Sequence, residues 1–170
     1  MHELQLTRDE LQSLFDDQHL GSIDDIGDDG RGPTEEVAAV RRPWDLTITE
    51  LSPERVRTHV VFRAAHLRPG GVVAGPVLFG LVDANAWLAT VGCLPRGSDA
   101  VTVDANVRFL RPTPTGDLVT DTVVLRRGKR QVVVAVTIAT AADPDTPVTH
   151  AVATFSPVLD GLAGIRKRAG

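Results

Sequence analysis

The segment 74–92, AGPVLFGLVDANAWLATVG, constrains the fold more than any other part of this 170-residue chain. It is predominantly apolar and carries a single charge, Asp83, at its centre. A helix that is apolar all round has to be buried on more than one face. We therefore expect a helix wrapped by a curved sheet or covered by a second subunit, with Asp83 at least partly buried.

A membrane span is the main alternative for this segment, because its length is nearly sufficient. Pro76, Asp83 and Asn85 lie inside it, and a central Asp alone costs roughly 2.5–3.5 kcal/mol on insertion. The rest of the sequence reads as a water-soluble sheet. We therefore interpret the segment as a helix buried by protein.

Composition limits the remaining classes of protein. A chain of this length with 42% hydrophobic residues is expected to fold as one domain. Its formal charge of −4 gives no electrostatic reason to expect nucleic acid or an acidic membrane as a partner. The lone Cys93 excludes an intramolecular disulfide and a Cys-based zinc site, and we expect no metal. The N-terminus lacks the features of a signal peptide, so we expect a cytoplasmic protein.

The first 43 residues differ in character from the rest and form an N-terminal extension. Thr7 and Glu10 have the spacing of a capping box. They precede an apolar stripe that predicts a short helix, formed by Leu11, Leu14 and Phe15. The following segment, 21–36, is acidic and glycine-rich, which indicates a linker. The spacing of its Asp residues does not match the twelve-residue calcium loop.

Alternating apolar residues predict strands on both sides of the helix. Two strands precede the helix as a hairpin, and four follow it, joined by short turns. The predicted strands are 44–51, 55–62, 100–110, 117–127, 130–140 and 148–158. Short connections favour antiparallel pairing. The sequence therefore predicts a two-layer α+β domain at 44–160, followed by a basic tail at 161–170.

The start of the predicted helix carries a second chemical signal. Pro76 suits the first helical turn, where its missing N–H costs nothing. The N–H of Gly75 is then unpaired at the positive end of the helix dipole, and such a donor can hold a developing oxyanion.

Residues 44–158 resemble the PaaI-like thioesterases of the hotdog fold, which hydrolyse acyl-CoA thioesters. That family carries a His-Gly-Gly turn, six intervening residues and a catalytic Asp in the central helix. AGPVLFGLVD has this spacing, with 74–76 at the turn and Asp83 at the acid position. A second match is 101–130, VTVDANVRFLRPTPTGDLVTDTVVLRRGKR, with its Arg-Pro turn, Gly-Asp pair and Gly-basic turn. The resemblance implies a long central helix wrapped by a curved antiparallel sheet.

The resemblance also implies roles for individual residues. Asp83 would act as general base or nucleophile, the Gly75 amide would polarise the thioester carbonyl, and Thr102 would help to position water. An ordinary strand residue is the alternative for Thr102. Two departures stand out, since Ala74 replaces the family His and Pro76 replaces its second Gly.

Asp83 lies eight residues after Gly75, which is about 12 Å along one helix. One carbonyl cannot touch both groups of the same straight helix. If both act, the acid has to come from a second subunit whose helix runs antiparallel across a two-fold axis. The resemblance therefore implies a homodimer, which in this family often pairs again into a tetramer.

The remaining candidate residues concern the substrate. A basic turn can pair with the phosphates of coenzyme A. The candidates are Arg127, Lys129 and Arg130 around the turn at Gly128, and Arg111 at another turn. A solvated hairpin end is the alternative for that turn. Phe79 and Trp87 are candidates for an acyl tunnel, with core packing as the alternative for Trp87. No cofactor is expected, since coenzyme A enters as part of the substrate.

The sequence is compatible with two functions. The first is an acyl-CoA thioesterase that releases the free acid and coenzyme A. The second, motivated by Ala74 in place of the family His, is a non-catalytic hotdog domain that binds an acyl-CoA or aromatic ligand. In the absence of the family Asn before the helix, the loop at 65–71 offers His66 or Arg68.

Overall fold

The structure, a computed structural model, describes residues 6–20 and 44–158. Its helices and strands follow the order α1 (Arg8–Leu20), β1 (Asp45–Ser52), β2 (Arg55–Val61), β3 (Leu67–Arg68), β4 (Val72–Val73), α2 (Gly75–Gly92), β5 (Asp99–Phe109), β6 (Leu118–Arg127), β7 (Val132–Thr140) and β8 (Thr149–Val158). The predicted acidic linker at 21–36 and the basic tail at 161–170 lie outside the described residues.

Six strands form one antiparallel sheet in the order β1-β2-β6-β7-β8-β5. The predicted hairpin and the four later strands are therefore present, and β5 lies at one edge. The segment 65–71, expected to be a loop, contains the end of a 3₁₀ helix (Ala64–His66) and the short strand β3, which pairs with β4. Gly70 and Gly71 make this tight connection, with φ angles of 108° and 75° that favour glycine.

Helix α2 packs against one face of this sheet and contacts β2, β5, β6, β7 and β8. Inward-facing residues of β7 form the centre of the core beneath it: Val132, Val134, Val136 and Ile138. The predicted α+β fold, a long central helix wrapped by an antiparallel sheet, is confirmed. No helix within 6–20 and 44–158 has the length and apolar character that a membrane span needs.

A buried polar cluster fixes the rotation of α2 on the sheet. Asn85 Oδ1 lies 2.9 Å from the Thr58 hydroxyl of β2 and 2.8 Å from the Thr120 hydroxyl of β6. Its amide group donates to the Leu81 carbonyl at 2.8 Å. Residues two apart on a helix face nearly opposite directions. Because Asn85 faces β2 and β6, Asp83 faces away from them.

Helix α1 packs against the end of α2 and against β1. Its predicted capping box is present, with the Thr7 N–H donating to Glu10 at 2.8 Å and the Glu10 N–H donating to Thr7 at 3.3 Å. Leu11 and Phe15 join the hydrophobic core, whereas Leu14 is exposed. The N-terminal helix is thus packed on the same core as the sheet.

Candidate active site

The central carboxylate of α2 meets the edge strand of the sheet. Asp83 is half-buried, and the Thr102 hydroxyl of β5 donates a hydrogen bond of 2.8 Å to its Oδ1. The pairing of β5 with β8 shifts register between Thr102 and Asp104. Such bulges redirect side chains and are frequent beside active sites. Two of the residues singled out in the sequence are therefore brought into direct contact.

A cavity of about 420 Å³ opens beside this pair. Asp83, Asp99 and Thr102 are the polar residues of its lining, while Trp44, Trp87 and Phe155 contribute aromatic surface. The chain has two tryptophans, and both line this cavity. A carboxylate beside a mostly apolar cavity is an arrangement suited to acting on a polar group attached to an apolar chain.

Gly80 makes room for the indole of Trp44. A Cβ placed on Gly80 would lie 2.6 Å from two carbon atoms of that ring, closer than packing permits. Glycine in the middle of a helix costs about 1 kcal/mol relative to alanine. At this position a side chain would collide with the Trp44 ring, which packs against the helix one turn before Asp83.

The amide of Gly75 is free at the start of α2. Ala74 is the N-cap, and its carbonyl accepts hydrogen bonds from the N–H groups of Val77 and Leu78 at 3.0 and 3.2 Å. Within 6–20 and 44–158, no acceptor binds the Gly75 N–H. The donor is half-buried beside the exposed ring of Phe109. It can therefore receive the oxygen of a ligand at the positive end of the helix dipole.

The loop before α2 does not present a histidine to this donor. His66 is buried, and its Nδ1 accepts a hydrogen bond from the Arg63 N–H at 3.1 Å. Its carbonyl accepts from the Ala74 N–H at 2.8 Å, which anchors the N-cap. Arg68 is exposed. His66 thus has the contacts of a structural residue that positions the helix start.

The basic candidates lie at opposite ends of α2 within one protomer. Arg111 follows β5 at the end where Phe109 approaches Gly75. Arg127 lies near Cys93, the C-cap at the opposite end of α2. Burial raises the pKa of the Cys93 thiol, and the nearby charge of Arg127 lowers that pKa by a smaller amount. Lys129 and Arg130 follow Arg127 in the same exposed turn. An 18-residue helix spans about 27 Å, so one protomer does not bring Arg111 and this turn together.

The two aromatic candidates on α2 differ in environment. Trp87 is 9% exposed and lines the Asp83 cavity. Phe79 is 46% exposed and lies outside that cavity. The edge strand β5 is also exposed and apolar at several positions, which are Val101, Val103 and Phe109. Phe79 and β5 therefore leave apolar surface uncovered near the site.

Sequence reasoning missed three residues that shape this site: Trp44, Gly80 and Asn85. Asn85 was detectable as a polar residue in an apolar helix. Gly80 was detectable as a mid-helix glycine one turn before the acid. Trp44 is 36 positions away from Gly80 and gave no local signal.

Comparison with known proteins shows the family to which this chain belongs. Residues 70–145 match the family model of the thioesterase superfamily. A candidate esterase of Halobacterium salinarum is 37% identical over 135 residues, covering 78% of this chain and 78% of its own length. The chain belongs to the thioesterase superfamily.

Solved structures show the same fold. A thioesterase of Haemophilus influenzae has a TM-score of 0.68 at 20% identity, covering 94% of this chain and 96% of its own. A candidate thioesterase of Silicibacter has a TM-score of 0.69 at 23% identity, covering 92% and 94%. A candidate esterase of Mycobacterium tuberculosis is 29% identical over 65% of this chain and 89% of its own, with a TM-score of 0.60. The hotdog fold expected from the sequence is confirmed.

Proposed function

We propose that this protein is an acyl-CoA thioesterase in which Asp83 is the catalytic carboxylate. The hydrogen bond from Thr102 to Asp83, at the wall of an aromatic cavity, is the observation that carries the proposal. The hydroxyl fixes the carboxylate in one orientation and leaves Oδ2 for water. Membership of the thioesterase superfamily supports thioester hydrolysis as the reaction.

As general base, Asp83 takes a proton from water while the water oxygen bonds to the thioester carbon. The carbonyl electrons move onto its oxygen and return when the carbon–sulfur bond breaks. The sulfur then leaves with the proton from Asp83, and the products are the free acid and coenzyme A. As nucleophile, the carboxylate would instead bond to the thioester carbon and displace the thiolate of coenzyme A, which takes a proton from water. Water then hydrolyses the resulting mixed anhydride to the free acid and restores the Asp83 carboxylate.

The oxyanion donor in this proposal is Gly75 of a second copy of the chain. Eight residues of helix place Gly75 and Asp83 of one protomer about 12 Å apart. The edge strand β5, with its exposed apolar residues, offers a surface for a second copy. Antiparallel pairing about a two-fold axis between Ala105 and Asn106 would set Phe109 of one copy opposite Thr102 of the other. Because Phe109 adjoins Gly75 and Thr102 binds Asp83, the pairing brings donor and acid together.

The same pairing gives the basic residues a common location. Arg111 follows Phe109 and would come to the Asp83 end of the partner. Arg127 lies on one row across the sheet with Val132, Phe155 and Thr102, at about 15 Å from Thr102 given three strand spacings. We propose that the phosphates of coenzyme A are held by Arg111 of one copy and by the turn with Arg127, Lys129 and Arg130 of the other.

The proposal is tested by release of thiol from a panel of short, long and aromatic acyl-CoAs. We expect Asp83→Asn and Asp83→Ala to lower kcat by about 10²–10⁴, the contribution of a positioned general base. Asp145→Asn, in an exposed turn between β7 and β8, is the matched control and should retain full turnover. Undiminished turnover by both Asp83 variants would refute the mechanism.

Ala74 in place of the family His favours one second candidate, a hotdog domain that binds an acyl-CoA or aromatic ligand without hydrolysis. That candidate predicts that acyl-CoA raises the melting temperature of the wild-type protein and that no thiol is released. The thioesterase proposal predicts a raised melting temperature together with release of thiol, so the two measurements on one sample separate the candidates.

A further inference from the structure

The Asp83 cavity shares a wall with a second cavity. The second cavity has a volume of about 480 Å³ and lies between α1 and α2. Trp87 and Asp99 line both cavities. The two spaces are therefore neighbours, and these two residues stand between them.

Helix α2 provides a continuous line from the first cavity to the second. Asp83, Trp87 and Val91 follow at intervals of four residues, so they share one face of the helix. Asp83 lines the first cavity, Val91 lines the second, and Trp87 lines both. The line from Asp83 to Val91 is about 12 Å long, and its midpoint is the indole.

The indole of Trp87 is fixed in this position. Its Nε1 donates a hydrogen bond of 2.8 Å to Asp99 Oδ1, which also accepts the Ala100 N–H at 2.7 Å. Both side chains of this pair are buried. A ring held by packing and by a buried hydrogen bond acts as a wall rather than as a loose plug.

The second cavity has the chemistry of a hydrocarbon site. Leu6, Leu14 and Val91 provide apolar surface. Of its charged residues, Glu10 and Arg96 bind each other at 2.7 Å, and Asp99 accepts hydrogen bonds from Trp87 and Ala100. The described lining therefore offers no unpaired cation to a phosphate or a carboxylate. A saturated chain is the ligand that this lining fits.

We propose that the cavity between α1 and α2 is a latent distal acyl subsite, and that Trp87, held by Asp99, closes it and thereby limits acyl-chain length. This inference rests on the proposed thioesterase function, because it assigns the acyl group to the Asp83 cavity. In the wild-type protein the acyl chain ends at the indole. Removal of the indole joins the two cavities and lets a longer chain run along α2 beneath α1.

The test measures kcat/KM for a series of saturated acyl-CoAs of increasing length. We expect Trp87→Ala to raise the ratio of long-chain to short-chain kcat/KM by about tenfold or more, since several buried methylenes are gained. Trp87→Phe keeps an aromatic wall and should leave the ratio within a few-fold of wild type. Leu94→Ala, a truncation of a buried residue that lines neither cavity, controls for loss of stability and should leave the ratio unchanged.

A second substitution distinguishes the subsite from a general loosening of the site. Leu14→Trp places an indole in the second cavity, and in the Trp87→Ala background it should return the length profile toward that of wild type. If Trp87→Ala does not fold, Trp87→Leu is measured in its place, because leucine is smaller than tryptophan and loses less packing than alanine.

A folded variant with an unchanged length profile would overturn the inference while leaving the proposed function standing.

Failure of the proposed function would give a different result, which is the absence of thiol release from every protein. If neither wild type nor variants release thiol from any acyl-CoA, calorimetric titration with saturated fatty acids replaces the kinetic readout. We then expect long-chain acids to bind the Trp87→Ala variant at least tenfold more tightly than wild type. Equal affinities would show that the second cavity receives no acyl chain.

Discussion

At the scale of single residues, position 75 combines a donor that has no acceptor among the described residues with room for a side chain. Ala74 has φ −70° and ψ 140°, the conformation that a residue before proline prefers. A Cβ on Gly75 would lie 3.8 Å from Phe109 Cζ, an ordinary contact. Beyond its chain neighbours, position 75 therefore has room for the Cβ of alanine, which keeps the N–H, or of proline, which removes it.

We predict that Gly75→Pro lowers kcat by about 10²–10³, the usual effect of losing one oxyanion donor. Gly75→Ala should stay within a few-fold of wild type because its N–H is retained. Proline at the first helical turn is well tolerated, so circular dichroism should show the same helix content in both variants. Equal turnover by the two folded variants would show that the amide takes no part in the reaction.

The acid at the site could be predicted from sequence, whereas its surroundings could not. Asp83 is the single charge in an apolar helix, and burial of a charge without a purpose is costly. The fit of Trp44 against Gly80 joins residues 36 positions apart. Whether Thr102 faces Asp83 depends on the bulge in β5. Contacts of this kind follow from tertiary packing and leave no periodic trace in the sequence.

At the scale of elements, α1 shows the same division between local and long-range information. Its capping box involves residues three apart, so the sequence predicted it correctly. Its docking was not predictable. The Gln12 side chain accepts from the Ile48 N–H at 2.8 Å and donates to the Leu46 carbonyl at 3.0 Å. Helix α1 thereby binds the free edge of β1, which would otherwise be open to a further strand.

Glu10 links the capping box to Arg96, beyond the end of α2, and its titration should be visible in stability. The Thr7 N–H, the Arg96 guanidinium and the Thr7 hydroxyl lower the pKa of Glu10 from 4.5 to about 2. A lowered folded-state pKa stabilises the fold above pH 4.5, and this stabilisation is lost as the pH falls toward 2. We predict that the difference in melting temperature between wild type and Glu10→Gln is largest above pH 4.5 and shrinks toward pH 2.

Arg96→Met provides the control for this prediction. It removes one of the groups that lower the pKa of Glu10. In its background the melting-temperature difference caused by Glu10→Gln should be smaller at every pH above 4.5. A difference that stays constant between pH 7 and pH 2 would contradict the assignment.

At the scale of the whole molecule, the two edge strands of the sheet differ in what covers them. The β1 edge is bound by Gln12 of α1, whereas β5 is an edge with exposed apolar residues. Short turns and alternation predicted the strands and their antiparallel sense. They did not predict that β2 lies beside β6 or that β5 is at the edge, because strand order is decided by long-range pairing. A site shared between two copies requires β5 to lie at an edge, as this strand order places it.

A site shared between two copies makes a prediction that a site within one copy does not. Gly75→Pro and Asp83→Asn each inactivate both sites of a homodimer. In a heterodimer of the two variants, one site combines both changes and the other combines Gly75 of the Asp83→Asn chain with Asp83 of the Gly75→Pro chain. That second site is intact, so the heterodimer should have about half the wild-type kcat, as two-fold symmetry requires.

The measurement uses the two variants co-expressed with different affinity tags and purified through both. Each homodimer, purified alone, should be inactive, and a doubly tagged wild-type dimer sets the full rate. Inactive heterodimers beside an active doubly tagged wild type would place Gly75 and Asp83 in separate sites. Recovery of activity by two inactive chains has no explanation within a single protomer, because the helix holds the two groups about 12 Å apart.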